Sequence, residues 1–351
     1  MANQGFSSKG LVGVTFNNRW IARKHLGGGS FGDVYEAEDI ETQSVVALKF
    51  ETGNAVQSQL PNEYKCYSAL QGSPNIPKVY GLFDYKKSTF LVMERMGASL
   101  ESCFKRNGKR FSLKTILMIG DQLFRCIEYI HKSGILHRDI KPHNFLIGLG
   151  ENRRQIYAID FGVSTRYIDP KTKEHQIYSP NNGLIGTAHY VSVNTHLGES
   201  QSRRDDLESI AYVLIRFLRG SLPWQKIKIK DPDERQEKIS QMKLQTTPEQ
   251  LCFGIPSEFR QIYEYIRRLR YDETPNYSWI RQTLQGLFNK QGFVNDGIYD
   301  WDFQASIHRP LPSIYLMRAA TAYIRLNERK IKPRDEYVKY PKGRRIFYNE
   351  K

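Results

Sequence analysis

Apolar residues in the first hundred positions fall in short runs broken by turn formers. Trp20 to Leu26, Val34 to Glu38 and Val45 to Phe50 predict three strands in an antiparallel meander. Pro61 to Leu70 predicts a helix, with proline in its first turn and Gly72 just past its end. Phe90 to Met93 predicts a further buried strand. Beyond Gly97 the period lengthens. Ile116, Ile119, Leu123, Ile127 and Ile130 recur at steps of three and four, which makes one buried helical face. Asp205 to Leu218 and Phe259 to Leu269 predict further helices. A small β-rich lobe therefore precedes a larger helical one, with the joint near Glu94 to Ala98. A last helix is predicted over Leu311 to Lys330, with Ile314, Met317, Ala320 and Ile324 roughly on one side.

Composition adds the scale. With 351 residues, 40% of them hydrophobic, and 21 Tyr and 18 Phe, the chain can bury a sizeable core. One large domain, or two lobes sharing an interface, fits that length. No apolar run is long enough to span a membrane. Met1 to Gly10 is polar and lacks a signal-peptide core; residues 1–14 read as a flexible lead. No repeat or low-complexity tract stands out. Cys66, Cys103, Cys126 and Cys252 are far apart without metal-ligand spacing, so they read as reduced thiols of a cytosolic or nuclear protein.

The net charge is +15, and residues 304–351 hold 12 Lys and Arg against 4 Asp and Glu, which is +8 of it. A solvated face is the default account of such a run. Docking on an acidic protein or on lipid is the alternative. No motif supports binding to nucleic acid.

Candidate chemistry begins at Gly27-Gly28-Gly29-Ser30-Phe31-Gly32-Asp33-Val34, a G-x-G-x-x-G-x-V loop between two predicted strands. Glycine lets backbone N–H groups approach phosphate oxygens, although an ordinary hairpin turn also fits. A following strand, where a dinucleotide fold needs a helix, argues against a Rossmann fingerprint. Lys49 ends the apolar strand segment Val46-Ala47-Leu48-Lys49. It reads either as a phosphate-holding lysine paired with Glu63 or as an exposed strand end.

His137-Arg138-Asp139-Ile140-Lys141-Pro142-His143-Asn144 decides between these readings. Asp139 precedes Asn144 by five residues, and Asp160-Phe161-Gly162 follows after the apolar run Tyr157-Ala158-Ile159. A hydroxyl nucleophile needs a carboxylate to orient it and take its proton. A triphosphate needs Mg²⁺, which takes oxygen ligands. Asp139 offers the first; Asn144 and Asp160 offer the second. Four motifs in this order and spacing point to phosphoryl transfer from ATP, which asks mainly for positioning and charge neutralisation.

On these motifs the chain resembles the eukaryotic protein kinases over about residues 15–303. More narrowly it is similar to the casein kinase 1 family. Gly186-Thr187-Ala188-His189-Tyr190-Val191-Ser192-Val193-Asn194-Thr195-His196-Leu197-Gly198 carries Ser192-Val193-Asn194 where most kinases have A-P-E. Gln201-Ser202-Arg203-Arg204-Asp205-Asp206-Leu207-Glu208-Ser209, Gly220-Ser221-Leu222-Pro223-Trp224-Gln225 and Tyr299-Asp300-Trp301 extend the match.

The resemblance implies an α+β, bilobal protein-kinase fold with a small antiparallel β-sheet lobe plus one helix (15–95) and a mainly helical lobe (96–303). A basic extension, 304–351, follows. It implies Asp139 as catalytic base, Lys141 at the γ-phosphate, and Asn144 and Asp160 on Mg²⁺. It implies Lys49, braced by Glu63, at the α- and β-phosphates. Leu26, Gly27, Gly29, Ser30, Gly32, Val34 and Ala47 would cover ATP. Met93 would be the gatekeeper, and Glu94 and Met96 would meet adenine through backbone groups. Asp206 would brace the catalytic loop from behind. Lys141, two residues after Asp139, is the serine/threonine form of that loop. The implied partners are protein substrates with acidic segments, met by a monomeric enzyme that is active without activation-loop phosphorylation.

In one place the chain departs from the family. The positions of its basic anion-binding cluster hold Ser179, Asn182 and His189, and only Arg235 keeps a basic residue, among Asp231, Asp233 and Glu234. A phosphate site needs fixed positive charge, so a weakened preference for primed substrates is expected, unless Lys226, Lys228 and Lys230 compensate. If His189 faces that site, primed substrates should gain as pH falls toward about 6. His143 replaces the usual Asp, with little effect expected. The intact set Lys49, Glu63, Asp139, Asn144 and Asp160 favours an enzyme over a pseudokinase scaffold. The helical substrate lobe disfavours a small-molecule phosphotransferase.

Overall fold

The computed structural model describes residues 10–29, 32–51, 58–86 and 88–303. The small lobe is a six-stranded antiparallel sheet in the order β1-β2-β3-β4-β6-β5. Its strands are β1 (Thr15–Phe16), β2 (Trp20–Gly29), β3 (Gly32–Asp39), β4 (Ser44–Phe50), β5 (Val79–Tyr85) and β6 (Ser88–Glu94). Helix α1 (Leu60–Leu70) enters the lobe between β4 and β5.

Strand alternation sorts this sheet's side chains. Val46, Leu48 and Phe50 of β4, with Phe90 and Val92 of β6, join Phe16, Trp20 and Tyr35 in one aromatic core. The intervening Ala47, Leu91 and Met93 turn to the opposite face, into the cluster shared with α1 and the large lobe. Lys49, next in that alternation, is thereby directed inward, and it is 8% exposed. Within the stretch read as a lead, Leu11 and Val14 pack against the aromatic core.

The large lobe begins with α2 (Leu100–Arg106) and α3 (Leu113–Lys132), each capped by a serine, Ser99 or Ser112, that accepts a backbone N–H. Two short β pairs follow: β7 (Ile135–Leu136) with β10 (Thr165–Arg166), and β8 (Phe145–Ile147) with β9 (Ile156–Ala158). Then come α4 (Val193–His196), α5 (Arg203–Arg219), α6 (Pro232–Gln245), α7 (Pro248–Leu251), α8 (Ser257–Arg268) and α9 (Tyr277–Lys290).

The predicted α3 face is buried at all five positions. A Cβ at Gly120 of α3 would come within 2.9 Å of Leu284 Cδ1, so the glycine lets α9 approach closely. No described helix is long and apolar enough to cross a membrane.

The strands and helices predicted within the described residues occur there, with ends moved by a few residues. Strand β5 and helices α2, α6 and α9 were not anticipated. Strand β5 mixes exposed Tyr80 and Asp84 with buried Gly81, and α6 buries only Ile239 and Lys243, so neither shows a clean apolar period. The helix expected over Leu311 to Lys330 lies outside the described residues.

Candidate active site

The glycine loop is the β2–β3 hairpin. Its register pairs Gly27 with Val34, Gly28 with Asp33, and Gly29 with Gly32. Ser30 and Phe31 at the tip lie outside the described residues. Gly32 has φ +116°, and a Cβ there would sit 1.8 Å from the Phe50 carbonyl oxygen. Only glycine lets the hairpin lie this close to β4. Leu26 and Val34 are half-buried, and Val34 packs on the core shared by the lobes. Ala47 and Met93 are direct partners across β4 and β6, and Met96 is buried just beyond. The N–H of Glu94 donates to the Lys78 carbonyl at 2.8 Å.

Lys49 is fixed from two sides. Its Nζ lies 2.7 Å and 2.9 Å from the Glu63 oxygens and 2.8 Å from Asp160 Oδ1. Burial pulls the ammonium's pKa down, but Glu63 and Asp160 outweigh it and hold the group above its usual value. Burial likewise pushes Asp160 up, and Lys49, with Lys141 behind it, brings it below the usual carboxylate range. Asp160 has φ +69°, a left-handed conformation that side chains other than glycine rarely adopt. Neighbouring contacts stabilise it: its N–H donates to the Tyr67 hydroxyl at 3.0 Å, and Phe161 packs edge-on against Tyr67.

Asp139 sits at the end of a braced loop. Lys141 donates to its Oδ2 at 2.6 Å, Asn144 Nδ2 to the same oxygen at 3.1 Å, and the Thr187 hydroxyl to Oδ1 at 2.7 Å. Pro142 opens the 3₁₀ turn that returns Asn144 under Asp139, where it also donates to the Asp139 carbonyl. The Ile159 N–H donates to the Asn144 carbonyl at 2.9 Å, which sets the Asp160 segment beside this turn.

Behind the loop, Asp206 of α5 accepts the N–H groups of His137 at 2.8 Å and Arg138 at 2.9 Å. His131 Nε2 lies 2.9 Å from the same carboxylate, and its Nδ1 lies 2.7 Å from the Tyr277 hydroxyl. The bracing role read for Asp206 is thus met by its geometry. Burial raises Asp206, but the hydrogen bond from His131 and the histidine charges prevail and lower it. Gly186, at φ +109°, closes the far side: a Cβ there would lie 2.4 Å from the Arg138 carbonyl oxygen.

The segment from Val163 to Gly186 is held by its own contacts. Arg138 Nε donates to the Val163 carbonyl at 2.7 Å, and the Tyr167 hydroxyl to the His131 carbonyl at 2.7 Å. Asn182 donates to the Ser179 carbonyl at 2.6 Å, so it braces the loop that carries it. His189 is half-buried, and its carbonyl accepts Trp224 Nε1 at 2.8 Å. Burial, then Lys243 and Arg235, hold the His189 ring below its usual pKa, which brings Arg235 into the same neighbourhood.

Of the expected residues, the fold gathers Lys49, Glu63 and Asp160 into one contact group and Asp139, Lys141 and Asn144 into another. Three further residues carry no role in the sequence analysis. Tyr67 holds the Asp160 backbone and Thr187 holds Asp139. Lys243, 3% exposed, donates to the carbonyls of Ala188 and Val191 beneath the rings of Tyr212 and Trp224. A buried lysine in an otherwise polar helix leaves no periodic signal, and a tyrosine at a buried helical position reads as core. The profile of the protein kinase domain matches residues 20–287, and with that span covered the chain belongs to the protein kinase family.

Proposed function

We propose that the chain is an active serine/threonine kinase of casein kinase 1 type that transfers the γ-phosphate of MgATP to protein hydroxyls. Protein kinase activity and ATP use follow from the family. That the chain is active rests above all on one observation: Lys49 contacts both Glu63 and Asp160 while Asp139 is already oriented by Lys141, Asn144 and Thr187. A scaffold has no need to assemble both groups.

The oxygens needed for Mg²⁺ are present. Asn144 spends its amide N–H groups on Asp139, and its side-chain oxygen has no hydrogen bond among the described residues. Asp160 engages Lys49 through Oδ1, with Oδ2 likewise unengaged there. No cluster of three or more His, Cys, Asp or Glu suited to a metal occurs among the described residues. One carboxylate and one amide suit an ion that arrives with the nucleotide's phosphates. Bound there, Mg²⁺ would neutralise triphosphate charge.

The remaining roles belong to side chains of the chain. Lys49 holds the α- and β-phosphates in place of its bond to Asp160. Asp139 orients the substrate hydroxyl and takes its proton. Lys141 moves from Asp139 to the γ-phosphate. Leu26, Val34, Ala47 and Met93 enclose adenine, with backbone groups of Glu94 and Met96 at its edge. Lys141 in this place supports the serine/threonine assignment, and the Ser192-Val193-Asn194 segment supports the casein kinase 1 type. Ser179, Asn182 and His189 support a weakened preference for primed substrates. The four buried, unpaired cysteines suit a reducing compartment, cytosol or nucleus.

The test is transfer of radiolabelled phosphate to casein and to a peptide library, wild type against Asp160→Asn. Transfer to Ser and Thr that collapses in the variant is expected. Near-wild-type transfer by the variant, or transfer confined to Tyr, refutes the assignment.

A further inference from the structure

A cavity of about 560 Å³ opens on the large lobe, away from the cleft, between the end of α3, the hairpin after β10 and the start of α9. Its volume falls in the range of small-molecule sites. Three of its cations, Arg166, Lys173 and Arg203, make no ion pair with a carboxylate among the described residues, although the charge of Asp169 lies near Lys173. The single carboxylate in the lining, Glu128, is 2.7 Å from Lys132, so that pair cancels. Asp169, on the same hairpin as Lys173, has Oδ1 occupied by the N–H groups of Lys171 and Thr172.

Arg203 is the informative residue. It is 9% exposed, held by the Tyr167 hydroxyl and the Asp272 carbonyl, and stacked over the Tyr167 ring. Its Nε is buried with no hydrogen-bond partner among the described residues. A guanidinium held in the wall by neutral partners, with no carboxylate paired to it among the described residues, suits an anion. Arg166 lines the same cavity, with Nη1 4.0 Å from the position of a Cβ on Gly134. Three cations match a dianion better than a single carboxylate. Tyr167, Ile168, Pro275 and Tyr277 give the rest of the cavity an apolar, aromatic wall. A second cavity, near Asp121 and Asp296, differs because those carboxylates are already paired with Arg125, Arg281 and Lys114.

We propose that this cavity is a second ligand site, which takes a small organic phosphomonoester with its phosphate on Arg166, Lys173 and Arg203 and its body on the aromatic wall. The site is separate from phosphotransfer chemistry, yet His131, which lines it, is the residue that meets Asp206 behind the catalytic loop.

The test uses the full chain with the cleft saturated by a non-hydrolysable ATP analogue and Mg²⁺. Phenyl phosphate, phenol and inorganic phosphate are titrated by calorimetry. Phenyl phosphate should bind one to one, tighter than inorganic phosphate, and phenol should not bind. The Arg166→Glu/Lys173→Glu variant changes exposed residues, and its circular dichroism should match wild type. It should lose at least about tenfold in affinity, the scale of one charge-assisted hydrogen bond. Arg235→Glu, at the remnant of the family's anion site, should bind like wild type. Equal binding by the Arg166/Lys173 variant, loss confined to Arg235→Glu, or phenol matching phenyl phosphate would overturn the site. Inorganic phosphate binding as tightly as phenyl phosphate, or binding only of a phosphoserine peptide, would overturn the ligand class.

Discussion

Lys49 of the small sheet and Asp160 of the large lobe meet at 2.8 Å, although 111 positions separate them in the chain. Glu63 shares the same ammonium, so one charge ties β4, α1 and the segment after β9.

Lys49→Met should therefore affect both chemistry and fold. Phosphotransfer is expected to fall by about a hundredfold or more, the scale for removing a preorganised charge. Glu63, 1% exposed, is left without its cation, which costs about 3–5 kcal/mol for a buried pair broken on one side. Peptide kcat/KM and thermal unfolding measure the two effects. A variant with wild-type kinetics removes Lys49 from the proposed site.

Activity should not need phosphate on the segment from Val163 to Gly186. That segment contains Ser164, Thr165, Thr172, Tyr178 and Ser179. It is already fixed by Arg138 on the Val163 carbonyl, by Tyr167 on the His131 carbonyl and by Asn182 on the Ser179 carbonyl. Bacterially made protein treated with phosphatase is expected to keep its rate. A severalfold loss after treatment refutes this.

Primed peptides, with phosphoserine three residues before the target, should show little advantage over plain ones. Asn182 spends its amide on its own loop, and Arg235 is the basic residue left near His189. The sequence alone allowed His189 to add charge near pH 6. The structure moves that titration lower, because burial and then Lys243 and Arg235 disfavour the imidazolium. A depressed histidine is neutral above its folded pKa and gains charge only as pH falls through it. The primed-to-plain ratio of kcat/KM is thus expected to rise less between about pH 7.5 and about pH 6.0 than a freely exposed imidazole would make it. A strong primed preference at neutral pH refutes the weakened site. A rise between these two values as steep as that of a free imidazole refutes the depressed ring.

Truncation after Phe303 should leave a folded, active kinase. The described lobe closes there on its own contacts: Trp301 packs on Phe111 and Tyr299, and Asp300 Oδ1 accepts the Ser112 hydroxyl at 2.7 Å beside the start of α3. Removing Tyr299 to Phe303 as well should destabilise the protein by several degrees, since it uncovers α3. Solubility, Tm and peptide kinetics distinguish the two truncations. A dead protein cut after Phe303 makes residues 304–351 part of the core.

Much of the site could be read from sequence because its residues come in rigid local patterns. Asp139 to Asn144 is one turn, and Asp160 lies two residues past the short strand β9, so spacing alone identifies them. Lys49 pairing with Glu63 was legible from a charge ending an apolar strand followed by a helix with one inward acid. Contacts between distant segments were less legible. Tyr67 under Asp160, and Lys243 under Ala188 and Val191, depend on how α1 and α6 dock. Strand β5 escaped notice because an edge strand with one wet face carries half an apolar pattern. Ser179, Asn182 and His189 are legible as uncharged or weakly basic types, but the burial that lowers the pKa of His189 is a property of the folded chain.

The hydroxyl of Thr187 rests 2.7 Å from Asp139 Oδ1, in the hydrogen bond that an incoming serine or threonine would claim from the proposed base. On the proposed serine/threonine reading, the resting chain carries a stand-in for its substrate. An arriving protein side chain, anchored by its peptide, can displace it. A lone water, with no anchor, gains nothing by doing so and finds the carboxylate occupied. On the proposed reading, Thr187 holds in the resting chain the hydrogen bond that the reaction hands to the substrate.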